Sequence, residues 1–195
     1  MHDMTETIHA PARSEGLSRR RIIQGVAWTT PAVLIATAAP ALAASGAPSA
    51  TAQLVFTQAE AVQRDNQWTG SGHVKAVSVA FRVQNQGNGS RPVDAITVTF
   101  KVPGAANPGS PNVGFVYGDA GWVYSTTVSG GDLVVVATYS GRMNAWGNSG
   151  AAIWVELKKN AKLVGTSLAL TAQGTPAEPG TIVTGATAPA PVTAG

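Results

Sequence analysis

Hydrophobic and polar side chains alternate along most of the chain beyond residue 53. The clearest run is 76–84, in which Val77, Val79, Phe81 and Val83 fall on one face. A period of two is typical of a strand that packs one face on a core and shows the other to solvent. The same reasoning predicts eight strands with almost no helical signal: 53–62, 76–84, 93–102, 113–117, 122–128, 133–139, 151–158 and 163–172.

Turn residues separate these runs. Asn88-Gly89 is a favoured tight-turn pair because both residues tolerate positive φ, so it predicts a hairpin between strands 76–84 and 93–102. Ser129-Gly130-Gly131-Asp132 predicts a second hairpin turn. The Pro- and Gly-rich stretch 103–112 is expected to be a long loop, and 63–72 a polar connection.

Short antiparallel strands at these intervals predict an all-β domain over residues 53–173. The pattern loosely resembles immunoglobulin-like envelope modules, which implies an antiparallel β-sandwich of about seven to nine strands. A small closed β-barrel is the alternative. The tail, 174–195, is mostly Thr, Ala, Pro and Gly and is expected to be flexible, although Ile182 and Val183 offer a short edge strand.

The N-terminal region carries the most specific motif, Ser18-Arg19-Arg20-Arg21-Ile22-Ile23-Gln24. It resembles the twin-arginine export signal: Ser18, Arg19 and Arg20 match, Ile22 and Ile23 are hydrophobic substitutes, and Gln24 departs from the usual Lys. The resemblance, which extends to secreted proteins of the actinobacterial type, implies that the chain folds in the cytoplasm and is carried out by the twin-arginine translocase.

The end of this leader has the features of a signal peptidase site. Ala41 and Ala43 place small residues at the −3 and −1 positions, so cleavage is expected before Ala44. Residues 1–43 would then be the signal peptide and 44–52 a linker, and the product would be secreted or loosely wall-associated, in contact with membrane only during export. Retention as a membrane anchor is the alternative, which Pro31 and Pro40 disfavour.

The charge and cysteine content exclude several classes of partner and site. The chain has 13 Lys or Arg against 10 Asp or Glu, and removal of the leader leaves nine against seven, scattered in sequence. That distribution predicts no nucleic-acid partner. The absence of Cys excludes disulfides, thiolate metal ligands and cysteine nucleophiles.

Catalytic chemistry is poorly represented. Beyond the leader the only histidine is His73, which predicts no multi-His metal site and no cofactor. Ser149, in the run Gly147 to Ala151, is the nearest approach to a nucleophile elbow but lacks the final Gly. No two-carboxylate motif links the remaining acids, so we expect no catalytic residues. Those acids are Glu60, Asp65, Asp94, Asp119, Asp132, Glu156 and Glu178.

Exposed aromatic residues offer the best binding hypothesis. Trp68 and Trp146 lie in polar or Gly-rich stretches, Trp154 alternates outward from its strand, and Arg142 lies near Trp146 in sequence. Each tryptophan also fits a packing role. The leading hypothesis is an exported, non-catalytic module with a structural, adhesive or protein-binding role in the envelope. A carbohydrate-binding module that uses these tryptophans on a cell-wall glycan is the alternative, and a secreted hydrolase is third.

Overall fold

The computed structural model describes residues 50–69, 72–87 and 91–195. No helix among them is long and apolar enough to cross a membrane. The prediction of an all-β domain is confirmed by the ten strands that these residues form. They are β1 (Thr51–Thr69), β2 (Gly72–Asn85), β3 (Val93–Val102), β4 (Val113–Gly118), β5 (Trp122–Ser129), β6 (Asp132–Tyr139), β7 (Asn148–Glu156), β8 (Ser167–Pro176), β9 (Ile182–Thr184) and β10 (Ala186–Ala194).

The strands form one sheet that folds over on itself. Its order is β4-β7-β2-β1-β10-β8-β3-β6-β5, with β9 paired to β1 outside this path. The two ends of the path meet, because the Tyr124 hydroxyl of β5 donates a hydrogen bond to the carbonyl of Val113 in β4 at 2.7 Å. The result is a nearly closed sheet, intermediate between the sandwich and the barrel that the sequence allows.

The core lies between the facing halves of this sheet. Val79 and Phe81 of β2 and Val98 and Phe100 of β3 are buried, as their alternation predicts. Phe81 meets Trp122 of β5 in an edge-to-face contact with ring centroids 5.1 Å apart. Opposite halves are therefore joined by interdigitating apolar and aromatic side chains.

The predicted turn between β5 and β6 is confirmed. Ser129 pairs with Asp132 across a two-residue loop, and Gly130 and Gly131 both have positive φ, at 62° and 85°. Positive φ at both central residues matches the right-handed twist of the flanking strands, which is why Gly-Gly is favoured there.

The predicted hairpin between β2 and β3 is wrong. β2 pairs with β1 and β7, whereas β3 pairs with β6 and β8. Residues 88–90 of the expected turn lie outside the described residues. An alternating pattern predicts which face of a strand is buried but not which strand lies beside it, and these two strands belong to opposite halves of the sheet.

The predicted flexible tail is also corrected. Within 174–195, β8 continues to Pro176 and β10 pairs antiparallel with β8 and parallel with β1. Ala190 and Val192 of β10 are buried. Small side chains suit a strand whose stability comes from backbone hydrogen bonds to two neighbours, so low hydrophobicity was misleading.

Other predicted boundaries also differ from the structure; for example, the strand predicted over 163–172 begins at Ser167. The linker 44–52 ends earlier than predicted, because Thr51 and Ala52 already pair with β9. The polar connection 63–72 is instead a continuation of β1 and β2, whose pairing runs to Thr69 opposite Gly72 with a register shift between Arg64 and Gln67. The predicted export motif and peptidase site lie outside the described residues: Ser18, Arg19, Arg20, Ile22, Ile23, Ala41, Ala43 and Ala44.

Candidate binding site

A cleft of about 490 Å³ lies at the end of the domain where β1 and β2 join. It is bounded by this hairpin and by the end loop, residues 157–166, which follows β7. Its lining combines two carboxylates, two lysines, a histidine and two apolar side chains, so it presents both charge and apolar surface. They are Asp65, His73, Val74, Lys75, Glu156, Leu157 and Lys159.

A chain of polar contacts fixes the end loop against the hairpin. The Lys75 Nζ lies 3.3 Å from the Asp65 carboxylate and donates to the carbonyl of Ala161 at 3.1 Å. Gln63 donates to Asp65 at 3.4 Å, and its Oε1 accepts from the backbone N–H of Leu163 at 2.8 Å. The cleft walls are therefore held by side chains from two strands.

Replacing the buried Gln63 by Leu is expected to lower the free energy of unfolding by about 1–3 kcal/mol, because the Leu163 N–H loses its acceptor. Urea unfolding followed by circular dichroism measures this loss. Gln173→Leu, at an exposed position, is the control and should change stability little. Equal stability of the two variants would show that the Gln63 contacts do not hold the end loop.

Trp68 stands beside the cleft. It pairs with His73 across the hairpin, and the two rings meet edge-on with centroids 5.1 Å apart and planes at 71°. His73 Nδ1 is 3.3 Å from the carbonyl oxygen of Asn66. Trp68 nevertheless remains 66% exposed, so most of its ring is available to a ligand.

The structure does not bring the three candidate tryptophans together. Trp68 lies opposite His73, and Trp154 lies opposite Ser78, which places them about 17 Å apart along β2 at about 3.3 Å per residue. Trp146 accepts a hydrogen bond at its carbonyl from Gln84, about 36 Å along β2 from His73 by the same rise. The three tryptophans that the carbohydrate-binding alternative names therefore do not form one binding surface.

Trp154 has a packing role. It pairs with Gly114 of edge strand β4, and a Cβ on Gly114 would come within 2.9 Å of its indole ring. The half-buried indole therefore covers the backbone of a glycine, an arrangement that compensates for the missing side chain in an edge strand.

Trp146 and Arg142 lie in the loop before β7, at the opposite end of the domain from the cleft. Trp146 is 65% exposed, with positive φ. Arg142 donates two hydrogen bonds to the Asp94 carboxylate, at 3.2 and 3.4 Å. These hydrogen bonds and the charge of Asp94 raise the pKa of Arg142 above its ordinary value. Arg142 is thus engaged with Asp94 and is far from Trp68.

Ser149 is buried in a polar contact that explains it without catalysis. It accepts a hydrogen bond from the Trp122 indole N–H at 2.8 Å and donates to Asp119 at 3.3 Å. Its strand neighbour is Val83, about 33 Å along β2 from His73 at the usual rise. A serine triad through His73 is not assembled.

Of the seven carboxylates, Asp65 and Glu156 line the cleft, and Glu156 accepts a hydrogen bond from Asn112 at 2.9 Å. The sequence offers both residues as acids but carries no signal that β1 and β7 would place them together, and no pattern in it singles out Lys75 or Lys159. No group of three or more His, Asp or Glu within the described ranges is placed to hold a metal ion.

A smaller groove of about 200 Å³ lies on the outer face of β4, β7, β2 and β1. Its floor includes Ala80 and Ala152, which are opposite each other. Tyr117, 48% exposed, stands on one side, and Glu60 and Arg64 stand on the other. This groove is a second possible binding surface, and variants in it can be compared with variants in the cleft.

Comparisons with known proteins give no family. No family model matches the chain, and no curated protein matches it. Among solved structures, it is similar to AvmM, which catalyses macrocyclization in alchivemycin A biosynthesis, with a TM-score of 0.39 and 10% identity over 75% of this chain and 90% of that one.

Two further structures are similar. The non-cellulosomal cohesin from the hyperthermophilic archaeon Archaeoglobus fulgidus matches with a TM-score of 0.28 and 13% identity, over 70% of this chain and 91% of that one. Spo0M, a sporulation control protein from Bacillus subtilis, matches with a TM-score of 0.31 and 11% identity, over 76% of this chain and 51% of that one. At these scores the matches carry no argument about function.

Proposed function

We propose that this chain is an exported, non-catalytic β-sandwich module with the adhesive role expected of immunoglobulin-like envelope domains, and that it binds a glycan in the cleft. The observation that carries the proposal is Trp68, which is 66% exposed on a paired hairpin beside that cleft. Binding of a glycan at this one site would account for both leading hypotheses from the sequence, adhesion and carbohydrate binding.

The chemistry of the cleft suits a sugar. One face of a pyranose ring carries C–H groups that pack on an indole, while its hydroxyls need hydrogen-bonding partners. Trp68 supplies the apolar face, and Asp65, Glu156 and Lys159 supply polar groups. Because Trp68 is held by strand pairing and by His73, little side-chain freedom is lost on binding.

The non-catalytic part of the proposal is supported by the state of the two cleft carboxylates. Asp65 is paired with Lys75, and Glu156 accepts a hydrogen bond from Asn112. Both carboxylates thus have structural contacts in the walls of the cleft. Export is proposed on the twin-arginine motif, with the translocase and signal peptidase as transient partners, and it would bring this site to the wall polymers.

Protein binding is a second candidate, favoured by a separate observation. Five large apolar side chains are exposed on the two edge strands, β4 and β5, which end the path through the sheet. β4 and β5 meet through the Tyr124 side chain and not through a backbone ladder, so each has unpaired backbone groups for an added strand. These side chains are Phe115, Val116, Tyr117, Val123 and Val128.

Trp68→Ala is expected to weaken glycan binding about tenfold without lowering stability, because it removes an aromatic contact that the fold does not bury. Calorimetric titration of the purified chain with soluble cell-wall polysaccharide fragments measures the affinity, and thermal unfolding measures the stability. Trp146→Ala is a matched control, since Trp146 is 65% exposed at the other end.

An equal loss in Trp146→Ala, or unchanged affinity in Trp68→Ala, would contradict the assignment of the cleft. Loss of binding only in Tyr117→Ala would move the glycan to the outer groove. Capture of an extended peptide that is abolished by a Val123→Pro substitution in β5, with no glycan binding, would favour the protein-binding function.

A further inference from the structure

The cationic side chains of the domain divide into two groups. In the described residues, five form ion pairs: Lys75 with Asp65, Arg82 with Asp119, Arg91 with Glu178, Lys101 with Asp132, and Arg142 with Asp94. The remaining four have no acidic partner among those residues. They are Arg64, Lys158, Lys159 and Lys162.

All four unpaired cations lie at the cleft end, although Arg64 also lines the outer groove. Arg64 is opposite Ala76 on β2, and Ala76 is opposite Glu156 at the end of β7. Lys158, Lys159 and Lys162 follow directly in the end loop. We call these four side chains the basic end; Lys159 belongs both to it and to the cleft lining.

The net charge of the domain is small, but the positive charge is concentrated at this end. The basic end together with the cleft carries five cations and two carboxylates, a net of +3, whereas residues 50–195 have nine cations and seven carboxylates, a net of +2. The rest of the described domain is left with a net of −1. Such asymmetry creates a local positive potential that attracts anions.

The lysines are held in an ordered turn. The Lys158 N–H donates to the carbonyl of Gly104 at 3.0 Å, and its carbonyl accepts from the N–H of Ala161 at 2.9 Å. Leu157 and Leu163 on either side are buried, and Lys75 is bonded to Ala161. The fold thus fixes the backbone that carries three like charges within five residues, although their mutual repulsion disfavours this.

We propose that the ligand of the cleft is an anionic glycan, whose sugar face packs on Trp68 while its carboxylate or phosphate groups meet the basic end. This inference rests on the proposed function and names its ligand class. Charge complementarity selects an anionic partner. A polymer chain is favoured over a lipid surface because the lysines flank a concave cleft rather than a flat apolar face.

The test compares one sugar chain in two charge states. Polygalacturonate and its fully methyl-esterified form share the backbone, but only the first carries carboxylates. The whole chain is titrated with each by calorimetry at about 50 and about 200 mM salt, which changes electrostatic screening. Polygalacturonate is expected to bind at least about tenfold more tightly than the ester, and to lose most of that preference at the higher salt.

A matched pair of variants locates the charge. Lys159→Gln/Lys162→Gln removes two cations from the basic end and is expected to weaken polygalacturonate binding about three- to tenfold. Arg82→Gln/Arg142→Gln removes the same net charge at the opposite end and should change the affinity by less than about twofold. Trp68→Ala is expected to weaken the binding of both polymers.

Each other outcome is decisive. Equal affinity for the two polymers, still dependent on Trp68, would overturn the anionic ligand and leave the proposed function intact. If Trp68→Ala left polygalacturonate binding unchanged, the proposed function would be overturned instead. Equal losses of affinity in the two charge variants would show that the basic end does not bind the polymer. Binding to phosphatidylglycerol vesicles but to neither polymer would overturn both, in favour of a membrane surface.

Discussion

Deletion of residues 186–195, which form β10 and the last residue of the chain, is expected to unfold the domain. β10 is the link between the two halves of the sheet path, since Ala186–Pro191 pairs with β8 and Val192 continues beside β1. Removing β10 leaves β8 and β1 each with an unpaired edge and exposes the core that Ala190 and Val192 cover. The expected loss exceeds about 5 kcal/mol, which is the whole stability of many domains.

Circular dichroism and tryptophan fluorescence of the truncated chain measure this effect. A point variant tests the burial of β10 without shortening the chain. Val192→Asp places a charge at a buried site and is expected to lower the free energy of unfolding by about 3 kcal/mol or more. Thr187→Asp, on the same strand but exposed, should cost little. A truncated chain with native spectra and an unchanged melting temperature would restore the original prediction of a flexible tail.

The alternation of side chains predicted the faces of the central strands well. β2, β3 and β6 each bury one apolar row, and the Gly130-Gly131 turn follows from two residues that permit positive φ. These features are local, so local rules suffice. Pairing is not local: β2 meets β7 and β3 meets β8, and nothing in the sequence of any one strand specifies its neighbour.

The candidate site was harder to predict for the same reason. Trp68 was singled out correctly as an accessible residue, but its partners in the cleft come from β7 and from the end loop, nearly 90 residues later in the chain. Lys158, Lys159 and Lys162 of the basic end are already neighbours in sequence, and Arg64 joins them once β1 and β7 flank β2. Composition alone therefore gave the net charge but not its position.

Asn85→Leu is expected to lower stability by about 3–5 kcal/mol, a large loss for one polar residue. Asn85 is the last residue of β2 and is fully buried. Its Nδ2 donates to the carbonyls of Arg91 and Met143, at 2.7 and 3.2 Å, and its Oδ1 accepts from the N–H of Gly87 at 3.2 Å. Leucine would leave the Arg91 carbonyl and the Gly87 N–H without these partners, each at a cost of about 1–3 kcal/mol, whereas the Met143 carbonyl still accepts from the Val93 N–H at 2.9 Å.

These contacts also explain how the chain crosses between the two halves of the sheet without a hairpin. The backbone of Asn85 bonds to Gly147 and Trp146, and its side chain bonds to Arg91 and Met143, so one residue joins the end of β2, the start of β3 and the loop before β7. A single asparagine thereby satisfies polar groups that no strand ladder reaches.

Equilibrium urea unfolding gives the measurement, with Asn144→Leu as the control because Asn144 is exposed in the same loop. Asn85→Asp keeps the shape and the acceptor for Gly87 but aims a second acceptor at two carbonyls, so it should be at least as destabilising as the leucine variant. If Asn85→Asp were as stable as the native chain, the donor role of Nδ2 would be wrong. If Asn144→Leu cost as much as Asn85→Leu, the loss would come from placing leucine in this region and not from the buried hydrogen bonds.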